Sequence, residues 1–186
     1  VVSAVGTDGL SKFARENKMG LFHCSLFMYH AAVAAAFETD DTFIGIAVGT
    51  RKLKFSMSIG QFLSSFGHRV KFERDMSMHK AAVKCRDTFL KISRNDRGYY
   101  NDFKNGVMFT MAYQNFDGDQ EEIRLKEALL YPLEDAETYM IPFHWASMCI
   151  DAYEGQDGIC FMAGYDKTGF TEEIMKRMDI GVTLSA

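Results

Sequence analysis

Nineteen consecutive residues, Met19–Phe37 (MGLFHCSLFMYHAAVAAAF), carry no Lys, Arg, Asp or Glu. Arg15 and Lys18 precede them, and Glu38, Asp40 and Asp41 follow. A segment this apolar on every side cannot be a surface helix, which needs one polar face. A membrane span takes about 20 apolar residues. Two histidines, a serine and many small residues weigh against a span, and no second comparable segment occurs. The segment is therefore expected to be a helix buried centrally, or buried by other subunits.

Charge is the next constraint. The chain of 186 residues has a formal net charge of -4, but the sum hides segregation. Residues 1–50 hold three Lys/Arg against five Asp/Glu, residues 51–104 thirteen against five, and residues 105–186 five against fifteen. Segregated charge sets local fields that the average conceals. With 47% hydrophobic residues and only two prolines, the chain can bury a core, which excludes disordered and collagen-like classes. Four cysteines (Cys24, Cys85, Cys149, Cys160) without a CxxC pair and the absence of an Asn-x-Ser/Thr sequon suggest a reducing, cytoplasmic setting.

Periodicity predicts mostly helices. Thr7-Asp8 caps a short helix to Asn17, and Gly20 separates it from the apolar helix. Thr42–Val48 and Lys52–Met57 read as two strands about a turn at Gly49-Thr50-Arg51. Ser58 caps a helix to Phe66, ended by Gly67. Ser77–Arg94 is clearly amphipathic. At 100° per residue Lys80, Lys84, Asp87, Lys91 and Arg94 fall within about 80° of one another, opposite Met78, Ala81, Ala82, Cys85, Phe89 and Ile92. Further helices are expected from Tyr99 or Tyr100 to Asn115, over Asp119–Leu130, over Pro142–Glu154 and from Thr171. A strand is expected at Ile159–Tyr165. The fold class that follows is mainly α, a helix-rich single domain over residues 1–186. Residues 1–18 form an N-terminal arm or short helix, with a small β-hairpin near 42–57 and one short strand near 159–165.

No motif names an activity. Gly45–Lys52 has one residue too few between its glycines for a phosphate-binding loop, and no Lys-Ser/Thr follows. Asp117–Ala128 lacks the Gly and the final Glu of a calcium loop. His23 and His30 share a helix face about 10 Å apart along the axis, too far for one ion without other ligands. His68, His79 and His144 offer no zinc spacing. No GxSxG elbow occurs, and the cysteines fall on apolar faces. No catalytic residue, metal or cofactor is expected.

One distributed signal remains, a basic block with interleaved aromatics. Arg69, Lys71, Arg74, Lys80, Lys84, Lys91, Arg94, Arg97 and Lys104 would neutralise phosphates, and Tyr99 and Tyr100 would stack on unpaired bases. This favours a self-assembling, sequence-nonspecific single-stranded nucleic-acid-binding protein of nucleocapsid or coat type. Its partners would be single-stranded RNA or another polyanion and copies of itself, with no membrane, in the cytoplasm or a virion. The alternatives are a protein–protein interaction subunit of a larger complex and a metal-dependent nuclease using Asp102-Phe103-Lys104 with Asp87 or Asp96.

Overall fold

In the computed structural model, the described residues are 2–5, 7–49, 51, 53–55, 57–60, 62–95, 107–115, 123–124, 129–130, 146–155 and 158–184. They contain β1 (Val2–Val5), α1 (Thr7–Glu16), α2 (Leu21–Ala36), β2 (Asp41–Gly49), a 3-10 turn (Leu53–Phe55), β3 (Leu63–Lys71), α3 (Met78–Asn95) and β4 (Val107–Asn115). Beyond these lie β5 (Ile123–Arg124), β6 (Leu129–Leu130), β7 (Ala146–Gly155), β8 (Gly158–Tyr165) and α4 (Glu172–Leu184).

The organising element is a six-stranded sheet in the order β1-β8-β7-β4-β2-β3. The inner pairs β2–β4 and β4–β7 are parallel, and β2–β3, β7–β8 and β1–β8 are antiparallel. A small β5–β6 ladder stands apart. The mainly α expectation is therefore wrong: this is a mixed-sheet α/β fold.

The apolar segment lies where its composition requires. Ten residues of α2 are buried, among them Leu26, Phe27, Met28, Tyr29 and Val33, so the helix is covered nearly all round. It packs against α4, α3, β2 and α1. Each such large apolar side chain contributes about 1.5–3 kcal/mol on full burial. Among the described residues no single helix is long and apolar enough to cross a membrane, and α1 and α2 meet at a 104° bend. Gly20 does not make that bend. Lys18 adopts φ 51°, and Met19 N–H donates to Ala14 O at 2.9 Å while Lys18 N–H donates to Arg15 O at 3.2 Å. That is a Schellman-type stop on a lysine. Glu38, at φ 50°, follows α2 in the same way, with Thr39 N–H donating to Ala34 O.

Four predicted helices or strands change type. Residues 107–115 and 146–155 are central strands, flanked on both sides by neighbours. In β7 the buried Met148, Ile150 and Ala152 alternate with half-buried Cys149 and Asp151, whereas in β4 Phe109, Thr110 and Met111 are consecutive and all buried. A strand covered on both faces reads as a continuous apolar run and loses the period-two signature. Of the expected helix at 58–66, residues 58–60 and 62 are loop and 63–66 start β3, and the expected strand at 52–57 contains a 3-10 turn. The expected acidic helix, 119–130, contains described residues only at the β5–β6 ladder. The β-hairpin exists, but β2 pairs with β3 from Asp41↔Lys71 to Gly49↔Leu63.

β2 and β3 show why one sheet end has two unlike faces. Thr42, Ile44 and Ile46 are buried opposite Val70, His68 and Phe66. The other face carries Phe43 opposite Arg69 and Gly45 opposite Gly67. The Phe43 ring lies across Gly67 so closely that a Cβ there would meet Phe43 Cζ at 2.2 Å. Gly67 is thus a close-approach residue within a strand, not a helix stop.

Candidate functional site

Of the described basic residues, Lys80, Lys84 and Lys91 share a groove on α3, while Arg69, Lys71 and Arg74 lie on β3 and the turn after it. Arg69, on the exposed face of β3, is held by Asp41 of β2 through bonds of 2.8 and 2.6 Å. This pairing holds the Asp41 carboxyl below its usual range and the Arg69 guanidinium above. Lys71 ends β3 and Arg74 sits in the following turn, both exposed. Lys80, Lys84 and Lys91 line a shallow groove of about 450 Å³ along α3 with Asp87 and Thr88, and Lys84 pairs with Glu73 at 3.1 Å. Arg94 is exposed in the last turn of α3. Arg97, Tyr99, Tyr100 and Lys104 lie outside the described residues, as do Asp96, Asp102 and Phe103.

Arg86, which sequence reasoning passed over, does more structural work than any predicted site residue. Its guanidinium donates to Asn17 O at 2.5 Å and to Lys18 O at 3.5 Å, and it pairs with Asp87 at 2.7 Å. α3 thereby supplies donors to the carbonyls freed where α1 turns into α2.

Beside α2 and α3 runs a second concavity of about 620 Å³. Phe27, Ala31, Ala34, Met76 and Met78 make its apolar surface, and Thr39, Asp40, Glu73 and Arg74 its polar rim. Its size falls in the range of small-molecule sites, roughly 300–1,000 Å³. At the far end of β3, Arg51 pins an apolar loop. It donates to the carbonyls of Phe55, Ser58 and Gly60 and lies 4.1 Å over the Phe62 ring. Leu53, Met57 and Ile59 of that loop are almost fully exposed.

The chemically richest cluster lies inside. His30 of α2, Thr42 of β2, and His68 of β3 are buried and joined in series to the backbone of α3. His30 Nδ1 lies 2.7 Å from Thr42 Oγ1, His30 Nε2 lies 2.7 Å from His68 Nδ1, and His68 Nε2 lies 3.1 Å from Cys85 O. Thr42 Oγ1 is also 3.2 Å from Val70 O. Burial disfavours the charged imidazoles, so His30 sits well below the ordinary histidine range and His68 falls to about 4. Burial likewise pushes the Cys85 thiol up. Both rings are fully buried, so neither faces a substrate bound at the surface. His23 is half-buried on the same helix. Its Nδ1 accepts from Gly20 N–H at 3.2 Å, and burial beside the Arg86 charge lowers its pKa.

No protein-family model and no curated protein sequence matches the chain. Solved structures do match in fold. A four-domain nonribosomal peptide synthetase bound to AMP and glycine superposes with a TM-score of 0.77 at 11% identity, covering 99% of this chain and 16% of that one. The epimerization domain from the third module of tyrocidine synthetase B gives 0.70 at 11% identity, covering 100% and 46%. A structure of condensation domain-mediated chain release from the enacyloxin polyketide synthase gives 0.69 at 11% identity, covering 99% and 39%. The chain spans less than half the length of each structure. At this identity the likeness is one of fold. It overturns the coat-protein reading and its virion, capsid and helical-assembly corollaries, because the neighbours are condensation and epimerization domains, not nucleocapsid proteins.

Proposed function

We propose that the chain forms part of a condensation-type enzyme domain, one that joins an activated acyl group to a nucleophile in the building of a peptide or polyketide product. The observation that carries this reading is the superposition of the whole chain, 99–100% of its length, on condensation and epimerization domains. In such a condensation the nucleophile attacks the acyl carbon, the bond to the leaving group breaks, and the nucleophile gives up a proton. His30 and His68 are sealed at 0% exposure and cannot take that proton. Proton removal accordingly falls to a group other than these two rings.

The concavity beside α2 and α3 supports a binding role. Phe27, Ala31 and Ala34 offer an apolar wall for an acyl chain, and Arg74 and Asp40 on the rim offer polar partners for its functional end. An N-acetylcysteamine thioester of a medium-chain acid is a suitable probe. It should bind saturably and shift the methyl resonances of Met76 and Met78, and Ala31→Trp should abolish both effects while leaving the far-ultraviolet circular dichroism unchanged. Absence of saturable binding at millimolar probe, or binding indifferent to Ala31→Trp, would remove the groove from the reading. A mass-spectrometric search for amide formation from the thioester and an amino-acid amide tests the wider claim separately.

A further inference from the structure

The interior cluster has a donor-count problem whose solution points beyond that reading. Its two ends are backbone carbonyls, Val70 O and Cys85 O, which only accept. Between them lie four contacts, Val70–Thr42, Thr42–His30, His30–His68 and His68–Cys85. The Thr42 hydroxyl and two neutral imidazoles bring one hydrogen each, three for four contacts. One arrangement serves both end carbonyls, and it is the one a bound cation would select. Cys85 O needs the hydrogen on His68 Nε2, which leaves His68 Nδ1 a lone pair. Val70 O takes the Thr42 hydroxyl hydrogen, so Thr42 Oγ1 accepts from His30 Nδ1 and His30 Nε2 becomes a lone pair too. The two lone pairs face each other at 2.7 Å. A cation between them completes the arrangement.

A third donor lies beside that point. One ring nitrogen of each histidine and the Cys85 Sγ lie within 4.8 Å of one another, and all three residues are buried. We propose that His30 Nε2, His68 Nδ1 and the Cys85 thiolate form a binding site for a borderline-soft divalent cation, best met by Zn²⁺. Two imidazoles and a thiolate are a donor set zinc favours, with the fourth tetrahedral position left to a small ligand such as water. Binding releases the thiol proton, and the metal replaces the proton that the facing nitrogens would otherwise share. The remaining contacts match what metal-bound histidines make elsewhere: each ring donates its other N–H to a fixed acceptor, here Thr42 Oγ1 and Cys85 O. Zinc–nitrogen bonds of about 2.0–2.1 Å at a tetrahedral angle set the two nitrogens about 3.3 Å apart, so they must part by about 0.6 Å from their 2.7 Å spacing.

Metal content decides the matter. Untagged protein incubated with Zn²⁺ and freed of excess by gel filtration should retain one zinc per chain by plasma mass spectrometry, and its melting temperature should fall on chelation. Co²⁺ in its place should give a thiolate-to-cobalt charge-transfer band that Cys85→Ser removes. Thr42→Val, which strips the outer partner from His30, should weaken Zn²⁺ binding about 10- to 100-fold. Should Cys85→Ser fail to fold, histidine ¹⁵N spectra of the unmodified protein decide. Zinc-loaded protein must show His30 protonated at Nδ1 and His68 at Nε2. Retention well below one zinc per chain, a cobalt spectrum without the thiolate band, or a zinc-treated protein with both rings protonated at Nε2 would overturn the proposal.

Discussion

Chelator-treated protein should lose stability steeply between pH 7 and pH 4.5, and the buried histidines set the amount. His68 has its folded pKa lowered to about 4 from 6.5 by burial. Below pH 6.5 the unfolded chain takes up a proton at this residue while the folded chain does not, so acid favours unfolding until pH reaches about 4. The full difference is worth about 3 kcal/mol at roughly 1.4 kcal/mol per unit, of which about 2.5 kcal/mol is lost by pH 4.5. His30 and His23 are lowered by the same cause and act in the same direction. Asp151, raised by its own partial burial, opposes them weakly, because it becomes easier to keep folded as it protonates. Asp41 and Asp166, both lowered, add their losses below about pH 4 and fall outside the window. Domain stabilities are about 5–15 kcal/mol, so a loss of this size is a large fraction. Urea unfolding at pH 7.5, 6.0 and 4.5 measures it. With a slope of about 2 kcal/mol per molar, the midpoint should fall by more than about 1 M, and His68→Leu should recover part of the difference. A midpoint constant across that range would refute the assignment of a sealed, neutral imidazole at His68.

Three further substitutions probe the packing. Gly67→Ala places a Cβ against the Phe43 ring and should cost about 1–3 kcal/mol in urea unfolding, with Phe43→Ala relieving the clash in the double variant. Tyr29→Phe should leave stability unchanged or raise it by about 1 kcal/mol in the same assay, because the buried Tyr29 hydroxyl has no hydrogen-bond partner among the described residues. Arg86→Ala strips donors from the Asn17 and Lys18 carbonyls and should cost about 1–3 kcal/mol. Hydrogen exchange should then show faster opening at the α1–α2 corner than at β4.

The parts of the fold legible in the sequence are those with one wet face or with no wet face at helical length. α3 announced itself by its lysine stripe, and α2 by its length without charge. β8 and α4 also lie where the pattern placed them. The failures have different causes. β7 keeps the alternation that marks a half-buried strand, with Met148, Ile150 and Ala152 buried between Ser147, Cys149 and Asp151, and was misread as a helix. β4 is buried on both faces at Phe109–Met111, so Val107–Tyr113 lacks that alternation. Burial at that depth is a property of the finished sheet, invisible in a local window. Gly67 misled for a related reason, since its absent side chain answers to Phe43 across the ladder. The interior cluster was equally out of reach. His30, His68 and Cys85 come from α2, β3 and α3 at separations of 38 and 17 residues, with no spacing rule to link them. The basic block was real as composition. Of its residues, Arg69 pairs with Asp41 and Lys84 with Glu73, which composition alone does not reveal.

The functional reading rests on a superposition of the whole chain, and the parallel pairing of β4 with β7 is the longest parallel register in the six-stranded sheet. Thr110 is the register partner of Cys149, and its hydroxyl donates to Met148 O at 3.4 Å. Thr110→Cys therefore brings two thiols side by side on adjacent strands. Mild oxidation followed by peptide mapping should find the new thiol joined to Cys149 within one chain, in a folded monomeric fraction. If the new thiol stays free while the protein remains folded, or pairs with Cys24 or Cys85 instead, the parallel core is wrong and the functional reading falls with it.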